Sequence, residues 1–408
     1  MKRFAVIGCG LRSDCYLHEL APGLEKEWQL AALADPSDIA LEVYLRNYGN
    51  PNVKTFRSGP ELLKEMKGNI DAVIIASPNS LHLESLLPAM DQGLIILLEK
   101  PVATTVEDCA AMWKAYVRRG CPPLAVGFVL RYTTFYQKVK ELIDSGAVGQ
   151  VLSIEATEMM GTPLSAMYYR GWRRKNDISG PLILEKCSHD MDLLNWFGGT
   201  APTKVSSFAT RTRFTPNPDA AMHCKDCGLQ DTCRYSSSRI APYLMNTARR
   251  DEIGPLIPQH DDLCVFNSDK DIIDHQVVNI EYGNGVLVSF TVCADQPRTT
   301  RTIKVNGTQG QIIGDIGRDE LRIDYHLKEG SEDCITERFT LEHDDSGHHG
   351  GDSVISNQYK SMLRGKPTPP LAGLREGIEA CLVAIASEQS ACEGKVVDMN
   401  ELYKTVFS

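Results

Sequence analysis

Short apolar runs alternate with amphipathic stretches along the N-terminal part of the chain. Each run stops at a glycine, a serine or an acidic residue, as buried strands of a parallel sheet do, and the stretches between runs repeat apolar positions at helical spacing. This alternation predicts a doubly wound parallel α/β domain, which we place at residues 1–122. The predicted strands are residues 4–7, 29–34, 71–76 and 94–98, with 124–126 as a further candidate, and the clearest helices are 60–66 and 81–92.

From residue 123 the pattern changes to longer alternating runs rich in β-branched residues. Glycine-bearing turns at 282–285 and 306–307 are typical of hairpins. We therefore predict an α+β domain at 123–408, built on a mostly antiparallel open sheet. We expect one helix over 180–197, and a second over 373–389 that packs back on the first domain. The predicted strands are residues 151–159, 205–213, 276–282, 286–292 and 302–305.

Length and charge narrow the possible functions. The 408 residues exceed what a single core usually supports, which favours two domains. The formal net charge is -10 and no basic stripe offsets it, which disfavours a nucleic-acid partner. No apolar stretch approaches the roughly 20 residues that span a bilayer. We expect a cytoplasmic protein without a membrane partner, in which most of the 13 cysteines are reduced and buried.

A glycine turn follows the first predicted strand and opens a helix. Gly8 permits the tight turn, and Gly10 allows the backbone to approach a pyrophosphate at the helix N-terminus, near Leu11 and Arg12. Asp35 ends the second predicted strand, where a carboxylate binds ribose hydroxyls and repels a 2′-phosphate. The pattern predicts a Rossmann domain that binds NAD in preference to NADP. The alternative is a plain glycine turn beside a loop aspartate.

Two further strand ends point to the same crevice. Ser77 and Asn79 follow the third predicted strand, and His82 opens the next helix. Glu99 and Lys100 follow the fourth. Because ligands of open α/β sheets bind beyond the carboxyl ends of the strands, we expect all five to lie near the dinucleotide.

With the glycine turn and these strand ends, the chain resembles the Gfo/Idh/MocA oxidoreductases, which include glucose-fructose oxidoreductase and inositol dehydrogenase. The resemblance implies a second domain whose sheet covers the nicotinamide, sugar or cyclitol substrates, and homo-oligomers built through that sheet. It also implies that Lys100 is the main active-site lysine. The matching segments are residues 8–10, 35, 77–79 with 82, 99–101, 127–128 with 131, 172–173 and 180–192.

Oxidation of a secondary alcohol needs a base for the hydroxyl proton. His189 is the best candidate, because its ordinary pKa lies near neutrality. Glu185 lies four residues earlier, on the same face of the predicted helix, and could orient His189 or Lys100. Lys100 would stabilise negative charge on the reacting oxygen. The alternative is a structural histidine beside a salt-bridged carboxylate.

The predicted substrate pocket draws on several segments. Trp172 and Arg173 could stack on and hydrogen-bond a sugar, and the resemblance adds Arg131. Lys186 brings an extra charge next to Glu185. His349 lies in a glycine-bearing turn that could act as a lid. The alternative is a core tryptophan, a surface arginine and plain loop histidines.

Cys224, Cys227 and Cys233 lie close together in the least regular part of the chain. With Cys264 as fourth ligand they would suit a structural tetrahedral Zn²⁺, and His223 or His260 could replace Cys264. The alternative is a set of reduced, metal-free cysteines.

Three functions compete on the sequence alone. The first is an NAD-dependent dehydrogenase of a sugar or cyclitol. The second is a redox-neutral glycosidase that retains NAD and works through transient oxidation, elimination, hydration and re-reduction. The third is a sensor that binds NAD and sugar without catalysis. Lys100 and His189 argue against the sensor.

Overall fold

A computed structural model describes residues 1–244, 262–326, 334–341, 347–366 and 369–408. Within those ranges the chain forms two β-sheets, one of six strands and one of nine strands. No helix there combines the length and the apolar character that crossing a bilayer requires.

The first sheet is parallel and is flanked by helices on both faces. Its strands are β1 (Lys2–Ile7), β2 (Trp28–Ala34), β3 (Lys54–Phe56), β4 (Ala72–Ile75), β5 (Ile95–Leu98) and β6 (Leu124–Val126). Its helices are α1 (Leu11–Leu20), α2 (Asp38–Tyr48), α3 (Gly59–Glu65), α4 (His82–Asp91) and α5 (Val106–Arg118). The strand order β3-β2-β1-β4-β5-β6 is that of a Rossmann domain, so the predicted fold is confirmed. Strand β6 lies just beyond residue 122, our predicted domain limit.

The second sheet is mixed and mostly antiparallel, as predicted. Its strands are β7 (Val151–Gly161), β8 (Pro202–Thr210), β9 (His275–Tyr282), β10 (Leu287–Gln296), β11 (Thr300–Gly307), β12 (Gly310–Asp315), β13 (Glu320–His326), β14 (Cys334–Phe339) and β15 (Val397–Asp398). The order is β14-β13-β12-β11-β7-β10-β9-β8-β15, with β7 and β10 parallel. The two predicted turns join β9 to β10 and β11 to β12 as antiparallel hairpins.

The predicted helix over 180–197 is wrong as a single element. The backbone leaves helical geometry at Cys187, which has φ -101° and ψ 9°, and two helices result. Glu185 therefore ends one helix while His189 belongs to the next, so they do not share one helix face. The helices of this part are α6 (Thr134–Asp144), α7 (Thr162–Arg170), α8 (Asn176–Ser179), α9 (Leu182–Glu185), α10 (Ser188–Gly198), α11 (Ser237–Leu244), α12 (Gly351–Leu363), α13 (Leu374–Glu393) and α14 (Met399–Phe407).

The C-terminal helices hold the two domains together. Ile355 and Tyr359 of α12 join the core on the face of the first sheet that carries Phe4. Helix α13 joins the core on the opposite face. There a Cβ at Gly377 would lie 2.6 Å from Val102 Cγ1, so the glycine permits close packing. The C-terminal segment thus packs against both faces of the first sheet.

Candidate active site

The loop after β1 is shaped by Gly8. Its φ is +89°, and a Cβ there would lie 2.5 Å from the carbonyl oxygen of Ala76. Ser13 Oγ donates to the Gly8 carbonyl and accepts from the Gly10 amide at 3.2 Å. Ser13 thereby fixes the loop from within α1. A side chain other than hydrogen at residue 8 has no room.

The start of α1 presents the groups that a dinucleotide requires. The first backbone N–H groups of the helix, at Leu11 and Arg12, have no acceptor within the helix and carry the positive end of its dipole. Asp35 Oδ2 accepts from the Cys9 amide at 2.8 Å, so the carboxylate lies beside the glycine loop. Ser77 Oγ is buried and has no hydrogen-bond partner among the described residues. These observations fit a nucleotide between the loop and the end of β4.

Arg12 and Glu99 form an ion pair beneath that loop. Arg12 Nε lies 2.9 Å from Glu99 Oε1, and Arg12 Nη1 lies 2.8 Å from Asp352 Oδ1 of α12. Tyr16 donates a short hydrogen bond to Glu99. Glu99 Oε2 accepts from the backbone amide of Lys100 at 3.1 Å. Both predicted cofactor residues therefore have their charged groups engaged within the protein.

Asn79 and His82 also have their polar groups engaged within the protein. Asn79 Nδ2 donates to the Ser179 carbonyl at 2.7 Å and so joins the two domains. The His82 ring lies between the carbonyls of Pro101 and Ser77, at 2.9 and 3.0 Å. Burial lowers the pKa of His82, against the effect of these carbonyls. Both side chains shape the strand ends on which Ser77 and Lys100 lie.

Lys100 meets Glu185 across the domain boundary. Lys100 Nζ donates to the Glu185 carbonyl at 2.7 Å and lies 3.9 Å from Glu185 Oε2. Arg173 Nε binds Glu185 Oε1 at 2.6 Å, and Tyr168 donates a short hydrogen bond to Oε2. Burial alone would raise the pKa of Glu185, but Lys100, Arg173 and Tyr168 together lower it to about 2. Glu185 is therefore a carboxylate in the neutral range.

His189 is buried at 5% exposure, and its Nδ1 has no hydrogen-bond partner among the described residues. Its ring lies edge-on to Phe128, with centroids 5.8 Å apart, and 6.0 Å from the ring of His348. Burial lowers the pKa of His189 well below 6.5, and the charges of Lys100 and His348 lower it further. A neutral imidazole with a free nitrogen can accept a proton.

The remaining predicted substrate residues have varied surroundings. Arg131 makes a bidentate ion pair with Asp192, with both contacts at 2.7 Å. Lys186 Nζ lies 3.2 Å from Oε1 of the fully buried Glu158. Trp172 is half-buried under the Arg173 guanidinium, 4.6 Å from the ring centroid. His349 is half-buried, in a left-handed conformation with φ +53°.

Three residues of the site were not singled out from the sequence. Tyr168 lies on α7 and reaches Glu185, whereas His348 lies in the turn before α12 and Asp352 in the first turn of α12. The glycine-bearing turn that contains His349 was the only sequence signal for His348 and Asp352. Tyr168 lies in a run of helical spacing that does not distinguish it from a core tyrosine.

The predicted zinc site is not supported. Cys224, Cys227, Cys233 and Cys264 line one cavity of about 330 Å³. All four are free, and the described residues contain no group of three or more histidine, cysteine, aspartate or glutamate side chains placed to hold a metal ion. The buried Arg170 guanidinium lies 3.5 Å from Cys224 Sγ. A fixed positive charge beside the sulfur opposes a metal cation there.

Of the two alternative histidine ligands, His223 is engaged by a carboxylate. His223 Nδ1 lies 2.8 Å from Asp262 Oδ1. His260 lies outside the described residues.

Both halves of the chain match one oxidoreductase family. Residues 2–128 match its NAD-binding Rossmann fold, and residues 140–399 match its C-terminal alpha/beta domain. The putative oxidoreductase YteT of Bacillus subtilis (strain 168) is 25% identical over 426 residues, which cover 98% of each chain. Inositol 2-dehydrogenase 3 of Saccharopolyspora erythraea is 28% identical over 194 residues, which cover 48% of this chain and 53% of that protein. The match to this dehydrogenase thus spans about half of its length.

Solved structures share the fold over nearly the whole chain. The scyllo-inositol dehydrogenase of Lactobacillus casei, solved with NAD(H) and scyllo-inositol, superposes with a TM-score of 0.68 at 16% identity, covering 98% of this chain and 99% of the other. A levoglucosan dehydrogenase with NADH and levoglucosan gives a TM-score of 0.70 at 19% identity, with coverage of 97% and 99%. The chain therefore belongs to the Gfo/Idh/MocA family of oxidoreductases, and its first domain is the family's NAD-binding Rossmann fold.

Proposed function

We propose that this protein is an NAD-dependent dehydrogenase that oxidises a secondary hydroxyl of a sugar, sugar derivative or cyclitol. The observation that carries the proposal is the buried contact of Lys100 with Glu185 between the domains, beside His189 with its unpartnered Nδ1. Relatives named as inositol dehydrogenases and a structural neighbour bound to levoglucosan support this substrate class.

The cofactor would be held by the glycine loop, the start of α1 and Asp35. The carboxylate of Asp35 favours a ribose with a free 2′-hydroxyl, hence NAD over NADP. Ser77 Oγ is available as a further polar contact. When bound, the nicotinamide supplies the hydride acceptor or donor.

His189 and Lys100 have complementary roles in this proposal. Neutral His189 takes the hydroxyl proton of the substrate. The ammonium of Lys100 hydrogen-bonds the same oxygen and stabilises its developing negative charge. Glu185, fixed as a carboxylate by Arg173 and Tyr168, holds Lys100 in place. Burial lowers the pKa of Lys100, and the charge of Glu185 opposes that effect. Trp172 and Arg173 would line the sugar pocket beside these groups.

The test is a polyol panel, including inositols and levoglucosan, followed by absorbance at 340 nm. Lys100→Ala and His189→Ala should each lower kcat/KM at least about 100-fold. Both variants should retain NADH binding, measured by fluorescence titration, which checks that they fold. Lys64→Ala is the control, because the side chain of Lys64 is 83% exposed and distant from the site. Wild-type rates in both site variants would refute the assignment.

The same measurements separate the competing functions. A redox-neutral glycosidase would release an aglycone from a glycoside panel without net NADH. The extra charge of Lys186 next to Glu185 was the reason to weigh that alternative, but this charge is paired with buried Glu158. A sensor would bind NADH and a polyol while turning over neither panel.

We also propose that the protein forms a homo-oligomer through the outer face of the second sheet. Phe208 of β8 is 77% exposed and lies beside Val277 of β9, which is 39% exposed. Leu287 of β10 is 56% exposed. An apolar face of this kind is favoured as an interface between copies of the chain.

A further inference from the structure

The turn before α12 brings a second imidazole to the candidate active site. His348 has φ +52°, His349 has φ +53° and Gly350 has φ +84°. Left-handed backbone is uncommon for residues with a side chain, so two such histidines in succession indicate a constrained turn. The turn places the His348 ring with its centroid 6.0 Å from that of His189, at an interplanar angle of 49°.

A carboxylate fixes the orientation of this second imidazole. His348 Nδ1 lies 2.9 Å from Asp352 Oδ2, and Asp352 Oδ1 lies 2.8 Å from Arg12 Nη1. Arg12 lowers the pKa of Asp352 against the effect of burial, and His348 lowers it further, so the group is a carboxylate. It accepts the Nδ1 proton, which leaves Nε2 of His348 to exchange protons. Asp352 is thus a positioning residue for His348.

The side chain of His348 is more exposed to solvent than the charged side chains near His189. The side chains of Lys100, Lys186 and Arg301 are 13%, 12% and 10% exposed and are engaged in ion pairs. The side chain of His348 is 38% exposed. A proton on buried His189 therefore has a neighbouring imidazole that reaches water.

We propose that His348 is the proton exit of this active site. The inference rests on the proposed dehydrogenase function, because only net oxidation releases a proton in each turnover. The substrate carbon loses a hydride to the oxidised nicotinamide nucleotide, and the hydroxyl proton goes to His189. That proton then passes through one bridging water to Nε2 of His348 and from there to solvent or buffer. A carbonyl product, a reduced nucleotide and one released proton complete the balance.

The test is chemical rescue of His348→Gly, a variant that keeps the left-handed turn without strain. In weakly buffered solution its kcat should fall at least about tenfold while KM for the polyol changes little. Added imidazole should restore kcat in a concentration-dependent, saturable manner, because a diffusing base replaces the missing side chain. The affinity for NADH should equal that of the wild type.

The matched control is Ser353→Ala, on the same helix turn but outside the network, which should show neither loss nor rescue. A His348→Gly variant with wild-type kcat in weak buffer, or one that imidazole does not rescue, overturns the proton exit. The proton exit is also overturned if imidazole restores kcat of His349→Gly but not of His348→Gly. A wild type that forms no NADH from any polyol refutes the proposed function instead, and NADH formation by the wild type is therefore measured first.

Discussion

At the scale of single residues, the buried His189 is kept without charge by its surroundings. Burial is the main cause of its lowered pKa, and Lys100, His348, Arg301 and Lys186 add electrostatic repulsion. The form that accepts a proton is the one present above the lowered pKa. Neutral His189 is lost only as the pH falls through this lowered pKa, which lies below 6.5.

We therefore expect kcat/KM to be level between about pH 6.5 and 8 and to fall only at lower pH. Lys186→Gln removes one neighbouring positive charge, so the acid limb should move to higher pH. Lys204→Gln, whose side chain is 57% exposed on β8, should leave the profile unchanged. An acid limb centred at or above pH 6.5 in the wild type would contradict a depressed pKa at His189.

The sequence identified residues of the candidate site better than it identified the groups that those residues bind. Lys100, Glu185 and His189 lie close together, although Glu185 and His189 belong to two helices instead of the one that was predicted. The side chains of Arg12 and Arg131 bind carboxylates that are distant in the sequence, at Asp352 and Asp192. A charged side chain gives no local sign of which distant carboxylate it will meet. Their placement therefore depended on tertiary structure.

At the scale of elements, the strands were predictable where they are apolar and buried. β1, β2, β4 and β5 agree with their predicted limits to within about two residues, the usual uncertainty of element ends. β3 was missed because its short sequence is mostly polar and lies at the sheet edge. The break between α9 and α10 was missed because Lys186 and Cys187 fit a helix and carry no breaking signal.

The loop between β1 and α1 depends on Gly8, and a substitution there should affect more than backbone strain. Gly8→Ala and Gly68→Ala both place a side chain at positive φ, which costs about 1 kcal/mol. At residue 8 the new Cβ also meets backbone at 2.5 Å, whereas nothing lies within 4 Å at residue 68. Gly8→Ala should lower the free energy of unfolding by about 2 kcal/mol or more.

The measurements are denaturant unfolding and NADH titration of both variants. Gly8→Ala should weaken NADH binding at least about tenfold, because the displaced loop cannot approach the pyrophosphate. Gly68→Ala should retain the wild-type affinity. Equal NADH affinities in the two variants would show that the loop does not contact the nucleotide.

At the scale of the whole molecule, the proposed interface on the outer face of the second sheet can be tested by one substitution. Phe208→Asp places a charge at the most exposed apolar position of that face, so it should convert the oligomer to a monomer. Ile39→Asp is the control, because Ile39 is 53% exposed on α2 of the first domain. Light scattering after gel filtration measures the molecular masses of the two variants. A wild type that is already monomeric would refute the proposed interface.

Helices α12 and α13 cover opposite faces of the first sheet. This arrangement limits how the chain can be shortened. A truncation that ends after the Rossmann strands would uncover apolar surface on both faces at once, around Phe4 on one and around Val102 and Val126 on the other. Such a fragment would aggregate instead of serving as a minimal nucleotide-binding module.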